Sequence, residues 1–337
     1  MLTVTQKAAC EADAQIILDT SYKLQTPLGV PTVIINPSDY AAPDTFWRAL
    51  RGDTVENRIR RKLARMLVQH YGMGQGEARN FLEYPRRSQS IAAITSIIER
   101  AIKTEKLTAH VVSFSMASLA HDLPSLNAVI CPQTVDASAR TLKYALGLPE
   151  NRIPEMPGYC AEWNFIKLWH EFGHGISHER EDVADQISAN AFRYAFSDPS
   201  ALMGFSDVRA VQSILMHQKQ EHLNRYGWKL VETLDQAVDA DAPATWSEAM
   251  GRGLIKPASL HKISDVQYVG QSLAKINRLA FSEPDLLMLG MMSDNMAIKG
   301  HVENEQQLTI ARRFALAAQR LSIGAPAYKV TLPKYSL

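Results

Sequence analysis

The sequence has few cysteines, no excess of either charge and no long apolar run. Its three cysteines, Cys10, Cys131 and Cys160, stand far apart and form no CxxC pair. This argues against a disulfide framework and against a cysteine-based zinc site, and it fits a reducing compartment. The formal net charge of +1 provides no global field that would attract nucleic acid or an anionic membrane.

Targeting and membrane signals are also lacking. The first residues have no basic region followed by an apolar region, so we predict no secretory signal. No apolar stretch approaches the roughly 18 residues that a membrane span requires. We therefore expect a cytoplasmic protein with no membrane partner; delivery by a specialised secretion system would leave no mark that this sequence shows.

What is present is mostly helical periodicity, with a few strand-like segments in the first half. Residues 30–36, 109–114 and 127–131 are rich in β-branched residues and predict strands. Ser206 predicts the start of one helix, and Thr245 followed by Glu248 predicts a capping box at another. These patterns predict an α+β fold that is mostly helical and holds one small sheet. Further helices are predicted over 5–20, 43–70, 88–105, 136–146, 264–280, 284–298 and 303–321.

One helix carries a pattern with chemical content, His170-Glu171-Phe172-Gly173-His174. Two histidines four residues apart project from the same helical face, one turn apart, so both imidazoles can reach one ion. Glu171 lies about 100° around the helix from His170. A carboxylate there can take a proton from water without being a metal ligand, which is the logic of the H-E-x-x-H motif.

A catalytic zinc needs a third protein ligand and one open position. Gly175 favours an early end to the first helix, and the residues from Glu181 onwards predict a second helix that folds back. On that helix Glu181 can be the third ligand. Asp185, four residues later on the same face, can accept the second ring N–H of a ligand histidine. His178 and Asp182 remain alternative third ligands.

With these residues in place, the chain resembles the gluzincins, zinc peptidases that combine H-E-x-x-H with a downstream glutamate. The H-E-x-G-H form and the block from Glu181 to Gln186 are similar to compact bacterial intracellular peptidases of the ImmA/IrrE type; the likeness covers about residues 163–192. The resemblance implies Zn²⁺ held by His170, His174 and Glu181, with Asp185 behind them. The short spacing from His174 to Glu181 requires the first helix to end at Gly175.

The resemblance also implies a domain plan, a mechanism and a partner. Glu171 would act as general base in the hydrolysis of a peptide or protein substrate. A further hydrogen-bond donor to the transition state would come from Tyr194, His217, His222 or Tyr226. The predicted regions are an N-terminal mostly helical region (1–86), a zincin-like metallopeptidase core (87–200), a C-terminal helical region (201–325) and a tail (326–337).

Two other functions compete with hydrolysis. The first is a catalytically inactive zincin-like protein with an interaction or regulatory role. The second is a nucleic-acid-binding regulator that uses the basic run around Arg60 and Arg61. The near-neutral total charge argues against the second. The sequence does not indicate the oligomeric state.

Overall fold

The computed structural model describes residues 32–40, 53–104, 110–114, 126–130, 160–177, 181–216, 227–255, 260–280 and 285–323. Over these ranges the chain is mostly helical with one small sheet, which confirms that part of the predicted fold class. Every helix described is too short or too polar to cross a bilayer. The helices are α1 (Val55–Tyr71), α2 (Gln75–Glu83), α3 (Pro85–Thr104), α4 (Cys160–Ser177), α5 (Glu181–Ala195), α6 (Ser200–Met216), α7 (Trp228–Asp239), α8 (Trp246–Gly253), α9 (Ile263–Ala280), α10 (Leu286–Ile298) and α11 (Glu305–Ile323).

The sheet has three strands, β1 (Thr32–Ile35), β2 (His110–Phe114) and β3 (Leu126–Ile130). They lie in the order β1-β3-β2, with β3 parallel to β1 and antiparallel to β2. All three predicted strands are therefore confirmed to within two residues at each end. Within the sheet described, β2 is an edge strand, and it contacts α4.

The sheet lies between two apolar clusters, because alternate side chains of a strand point to opposite faces. Val33 and Ile35 pack with α1, α2 and α3, whereas Ile34 between them packs with the cluster that contains α4. This second cluster extends from Trp163 in α4 to Leu321 in α11. The helix that carries the sequence motif is thus held between the sheet and the helices that follow it.

The predicted domain boundaries at residues 86 and 200 do not separate the two apolar clusters from each other. The boundary at residue 86 falls inside α3, whose apolar face packs with α1. The boundary at residue 200 falls at the start of α6, and α5 before it packs against α7 and α8 after it. The predicted C-terminal helical region therefore shares one core with the motif helix.

The two predicted helix starts had different outcomes. Thr245 caps α8, and its hydroxyl accepts a hydrogen bond from the Glu248 N–H at 3.1 Å. The prediction for Ser206 is wrong, since α6 begins at Ser200 and Ser206 lies inside it. There its hydroxyl donates to Asp235 at 2.5 Å, so the side chain joins two helices. The predicted helices over 5–20 and 136–146 lie outside the described residues.

Candidate metal centre

Buried aromatic side chains fix the rotation of α4 about its axis. Phe165 lies against Phe196 with ring centroids 5.1 Å apart, and Trp169 lies 5.0 Å from Trp246, both in edge-on geometry. Phe165 and Trp169 are fully buried, and edge-on pairs add to the energy of their burial. With this apolar stripe locked in the core, the histidine-bearing face of the helix is directed at α5.

The first helix continues past Gly175, contrary to the prediction. α4 ends at Ser177, while α5 begins at Glu181, the residue at which the sequence predicted the second helix to start. Glycine inside a helix costs only about 1 kcal/mol relative to alanine. The hydrogen bonds and the packing of α4 outweigh this cost. The return of Glu181 towards the histidines therefore does not need an early stop at Gly175.

Gly173 lets α4 and α5 approach each other closely. A Cβ atom placed on Gly173 would lie 2.6 Å from the Cα of Ala184 and 3.1 Å from its carbonyl oxygen. Any side chain at this position would force the two backbones apart. The glycine in the middle of the motif thus determines how near the Glu181 helix can come to the histidine helix.

Three side chains converge where α5 begins. The Nε2 atoms of His170 and His174 are 3.0 Å apart, with the rings nearly perpendicular. Glu181 places one carboxylate oxygen 3.3 Å from His170 Nε2 and the other 3.7 Å from His174 Nε2. Ligand atoms bound to one tetrahedral zinc at about 2.0–2.1 Å lie roughly 3.3–3.4 Å from each other. The three residues form a group that could hold a metal ion.

Asp185 makes the contact expected of it. Its Oδ1 lies 2.5 Å from the Nδ1 atom of His170, and the carboxylate is fully buried. The Nδ1–H of His170 therefore donates to Asp185, which leaves Nε2 to present a lone pair when the ring is neutral. Such a hydrogen bond fixes both the tautomer and the orientation of a histidine ligand.

Arg209 is a member of the site that the sequence analysis missed. Its Nη2 donates to the same Asp185 oxygen at 3.3 Å. The arginine comes from α6, 24 residues after Asp185, in a segment with no recognisable motif. Only the packing of the helices brings the two side chains together, so no pattern in the sequence could have identified the pair.

Burial and charge act on these groups in opposite directions. Burial lowers the pKa of His170, but the charge and hydrogen bond of Asp185, with a hydrogen bond to Glu181, raise it to about 10. Burial and the adjacent charge of His170 lower the pKa of His174 to about 4. Burial raises the pKa of Asp185, but Arg209 and His170 outweigh it and lower this pKa to about 2. These shifts favour a protonated His170 between an ionised Asp185 and a neutral His174.

The rival third ligands are not equally placed. Asp182 makes an ion pair with Lys229 at 2.7 Å, and its other oxygen accepts from the Val183 N–H. Among the residues described, the group that could hold a metal ion contains Glu181 and not Asp182. His178 lies outside the described residues.

Glu171 directly follows His170 on α4, and it is buried, with only 7% of its surface exposed. Of the four predicted transition-state donors, Tyr194 lies about 20 Å further along the α5 axis than Glu181 and packs against Trp246. It is not brought to the ligand group. His217, His222 and Tyr226 lie outside the described residues.

The basic run on α1 makes contacts within the fold. Arg60 binds Glu56, the Leu82 carbonyl and Ser88. Arg61 pairs with Asp53. Arg60 thus contacts α2 and α3, whereas Arg61, with a side chain that is 54% exposed, pairs with a residue just before α1.

No protein-family model matches the chain, and searches of the curated proteins and of the solved structures return no match. Function is therefore inferred from the geometry and chemistry of the site.

Proposed function

We propose that this protein is a zinc-dependent metallopeptidase in which Glu171 is the general base. The observation that carries the proposal is the convergence of His170, His174 and Glu181: the two Nε2 atoms are 3.0 Å apart, and they lie 3.3 and 3.7 Å from the two carboxylate oxygens of Glu181. These are close to the edges of a zinc tetrahedron, roughly 3.3–3.4 Å. Two histidines and a glutamate are also the ligand set of catalytic zinc sites that leave one position open.

The chain's own residues would divide the chemistry between them. His170, oriented by Asp185, and His174 would hold the ion with Glu181. When bound, zinc supplies a Lewis acid that polarises the scissile carbonyl and activates water. Glu171, about 100° around α4 from His170, would accept a proton from the attacking water and return it to the leaving amine.

The surroundings of the group support a peptide substrate. α4 lies against the small sheet, and β2, an edge strand of the sheet described, contacts it. An extended peptide can add to such an edge through main-chain hydrogen bonds. This combination of sheet, histidine helix and glutamate helix is also what the gluzincin resemblance leads us to expect of a zincin-like core.

The ligand group is more accessible on one side. The side chain of Glu181 is 21% exposed, compared with 9% for His170. A substrate would therefore approach from the side of Glu181, and His170 with Asp185 would lie on the inner side. The inactive alternative keeps a zincin-like fold, with the metal either structural or absent, and assigns no role to the carboxylate of Glu171.

The test is Glu171→Gln, compared with wild type and with Glu162→Gln. Glu162 is a buried carboxylate about two and a half turns earlier on α4 and controls for the loss of a buried acid. We expect Glu171→Gln to keep its zinc and to lose cleavage of a fluorogenic peptide library by about 10²–10⁴-fold. Glu162→Gln should retain both. Cleavage by Glu171→Gln at the wild-type rate would contradict the proposal. Bound zinc with no cleavage by the wild type would favour the inactive alternative.

A further inference from the structure

Arg209, whose side chain is 12% exposed, shares a hydrogen-bond acceptor with one of the proposed ligands. Oδ1 of Asp185 accepts from His170 Nδ1 at 2.5 Å and from Arg209 Nη2 at 3.3 Å. We propose that Arg209 is a positioning residue, which orients His170 for metal binding by fixing the carboxylate of Asp185. The inference rests on the metal site of the proposed function.

The carboxylate depends on these two donors for its orientation. Oδ2 of Asp185 is buried and has no hydrogen-bond partner in the part of the chain that the structure describes. Both interactions that restrain the group therefore act through Oδ1. Without Arg209, the carboxylate would keep one hydrogen bond and could rotate about it, and the imidazole would turn with it.

Arg209 is itself held by neighbours on its own helix. Its guanidinium lies 5.1 Å from the centroid of the Phe205 ring, one turn before it. Its Nη1 donates to Gln212 at 3.4 Å, nearly one turn after it. The side chain is only 12% exposed. Because Arg209 on α6 is itself restrained, its hydrogen bond can hold Asp185 on α5 in place, and Asp185 can in turn hold the ring of His170 on α4.

The arginine also completes the charge balance behind the ligand. Asp185 is fully buried, and a buried carboxylate without a positive partner is costly. Arg209 supplies a permanent positive charge next to this carboxylate. Supporting partners of this kind typically contribute about 10–100-fold to metal affinity.

The experiment measures zinc affinity by competition with a chelating indicator, for Arg209→Met, Arg209→Lys, Asp185→Asn and the double variant. We expect Arg209→Met to weaken zinc binding by at least about tenfold. Arg209→Lys should weaken zinc binding less than Arg209→Met does, since lysine keeps the positive charge but lacks the planar guanidinium. Visible absorption of bound Co²⁺ should show a changed ligand geometry in Arg209→Met.

The double variant tests whether Arg209 acts through Asp185. In the Asp185→Asn background, Arg209→Met should change zinc affinity by less than about threefold, because the carboxylate it orients is already lost. The double variant also removes both buried charges together, so it should fold if Arg209→Met alone does not. Arg313→Lys is the control, since Arg313 pairs with Asp207 and Asp235 away from the ligand group.

The outcomes separate this inference from the proposed function. A wild-type protein that binds no zinc would overturn both. Zinc binding by Arg209→Met with wild-type affinity and Co²⁺ spectrum would overturn the positioning role and leave the metal site standing. Equal losses in the wild-type and Asp185→Asn backgrounds would also overturn it, because the effect would not pass through Asp185. Arg313→Lys on α11 should retain wild-type zinc affinity; a loss there equal to that in Arg209→Met would also overturn the positioning role, because changing an arginine away from the ligand group would then have the same effect.

Discussion

The Nδ1 atom of His170 lies 2.5 Å from Oδ1 of Asp185, a carboxylate with no exposed surface. This contact joins α4 to α5 at the point where the three ligand atoms meet. It determines which nitrogen of His170 faces the other ligands, and it raises the pKa of the ring when no metal is present. The predictions below follow from this contact and from the packing around it.

Zinc affinity should fall as the pH falls. The pKa of His170 in the metal-free protein is about 10, and that of His174 is about 4. Between these values His170 is protonated and His174 is neutral, so each zinc ion that binds must displace one proton. We expect affinity to rise about tenfold per pH unit from roughly pH 5.5 to 7.5.

Chelator competition at several pH values measures this slope, and calorimetry in buffers of different ionisation enthalpy counts the protons released. An affinity independent of pH would contradict the assignment of the proton to His170. A slope near two protons would mean that His174 is also protonated in the metal-free protein.

Gly173→Ala should destabilise the protein and weaken zinc binding. The new methyl group would lie 2.6 Å from the Cα of Ala184 and must push α5 away from α4. Overpacking of this kind costs about 1–3 kcal/mol. Urea denaturation of the metal-free protein measures the change in the free energy of unfolding.

Gly251→Ala is the matched control for that experiment. Gly251 is exposed on α8, and a Cβ there meets no atom within 4 Å. The substitution should raise the free energy of unfolding by roughly 0.5–1 kcal/mol. If both alanine variants had the same stability, the close approach at Gly173 would not determine the helix spacing.

Glu181→Ala and Asp182→Ala should differ in their effect on zinc affinity, which would show which of the two acids is the ligand. Glu181 faces both histidines, whereas Asp182 pairs with Lys229. Loss of Glu181 removes a ligand and should weaken zinc binding by more than the roughly 10–100-fold typical of a supporting partner. Loss of Asp182 removes a partly exposed ion pair, worth up to about 1 kcal/mol of stability, and should leave zinc affinity unchanged. The reverse ranking in a zinc titration would make Asp182 the ligand.

The sequence predicted the local parts of the site well because they follow helical periodicity. The spacing of His170 and His174 and the four-residue step from Glu181 to Asp185 each put two side chains on one helical face. The three strands were also predicted, since runs of β-branched residues mark them. Each of these signals lies within about one or two turns of chain.

Features that depend on packing could not be predicted in this way. Arg209 reaches Asp185 only because α6 packs against α4 and α7, and nothing in the sequence around it marks it. Ser206 suggested a helix cap but lies inside α6, where its bond to Asp235 gives it a different role. Gly175 suggested a helix end, but α4 continues to Ser177 because its buried aromatic face stabilises the helix.

Metal analysis of the purified protein, wild type beside His174→Ala, tests the central claim most directly. The account predicts about one equivalent of zinc in the wild type and almost none in the variant, with both proteins folded by circular dichroism. A folded wild-type protein that contains no zinc, and takes up none when zinc is added, would contradict it.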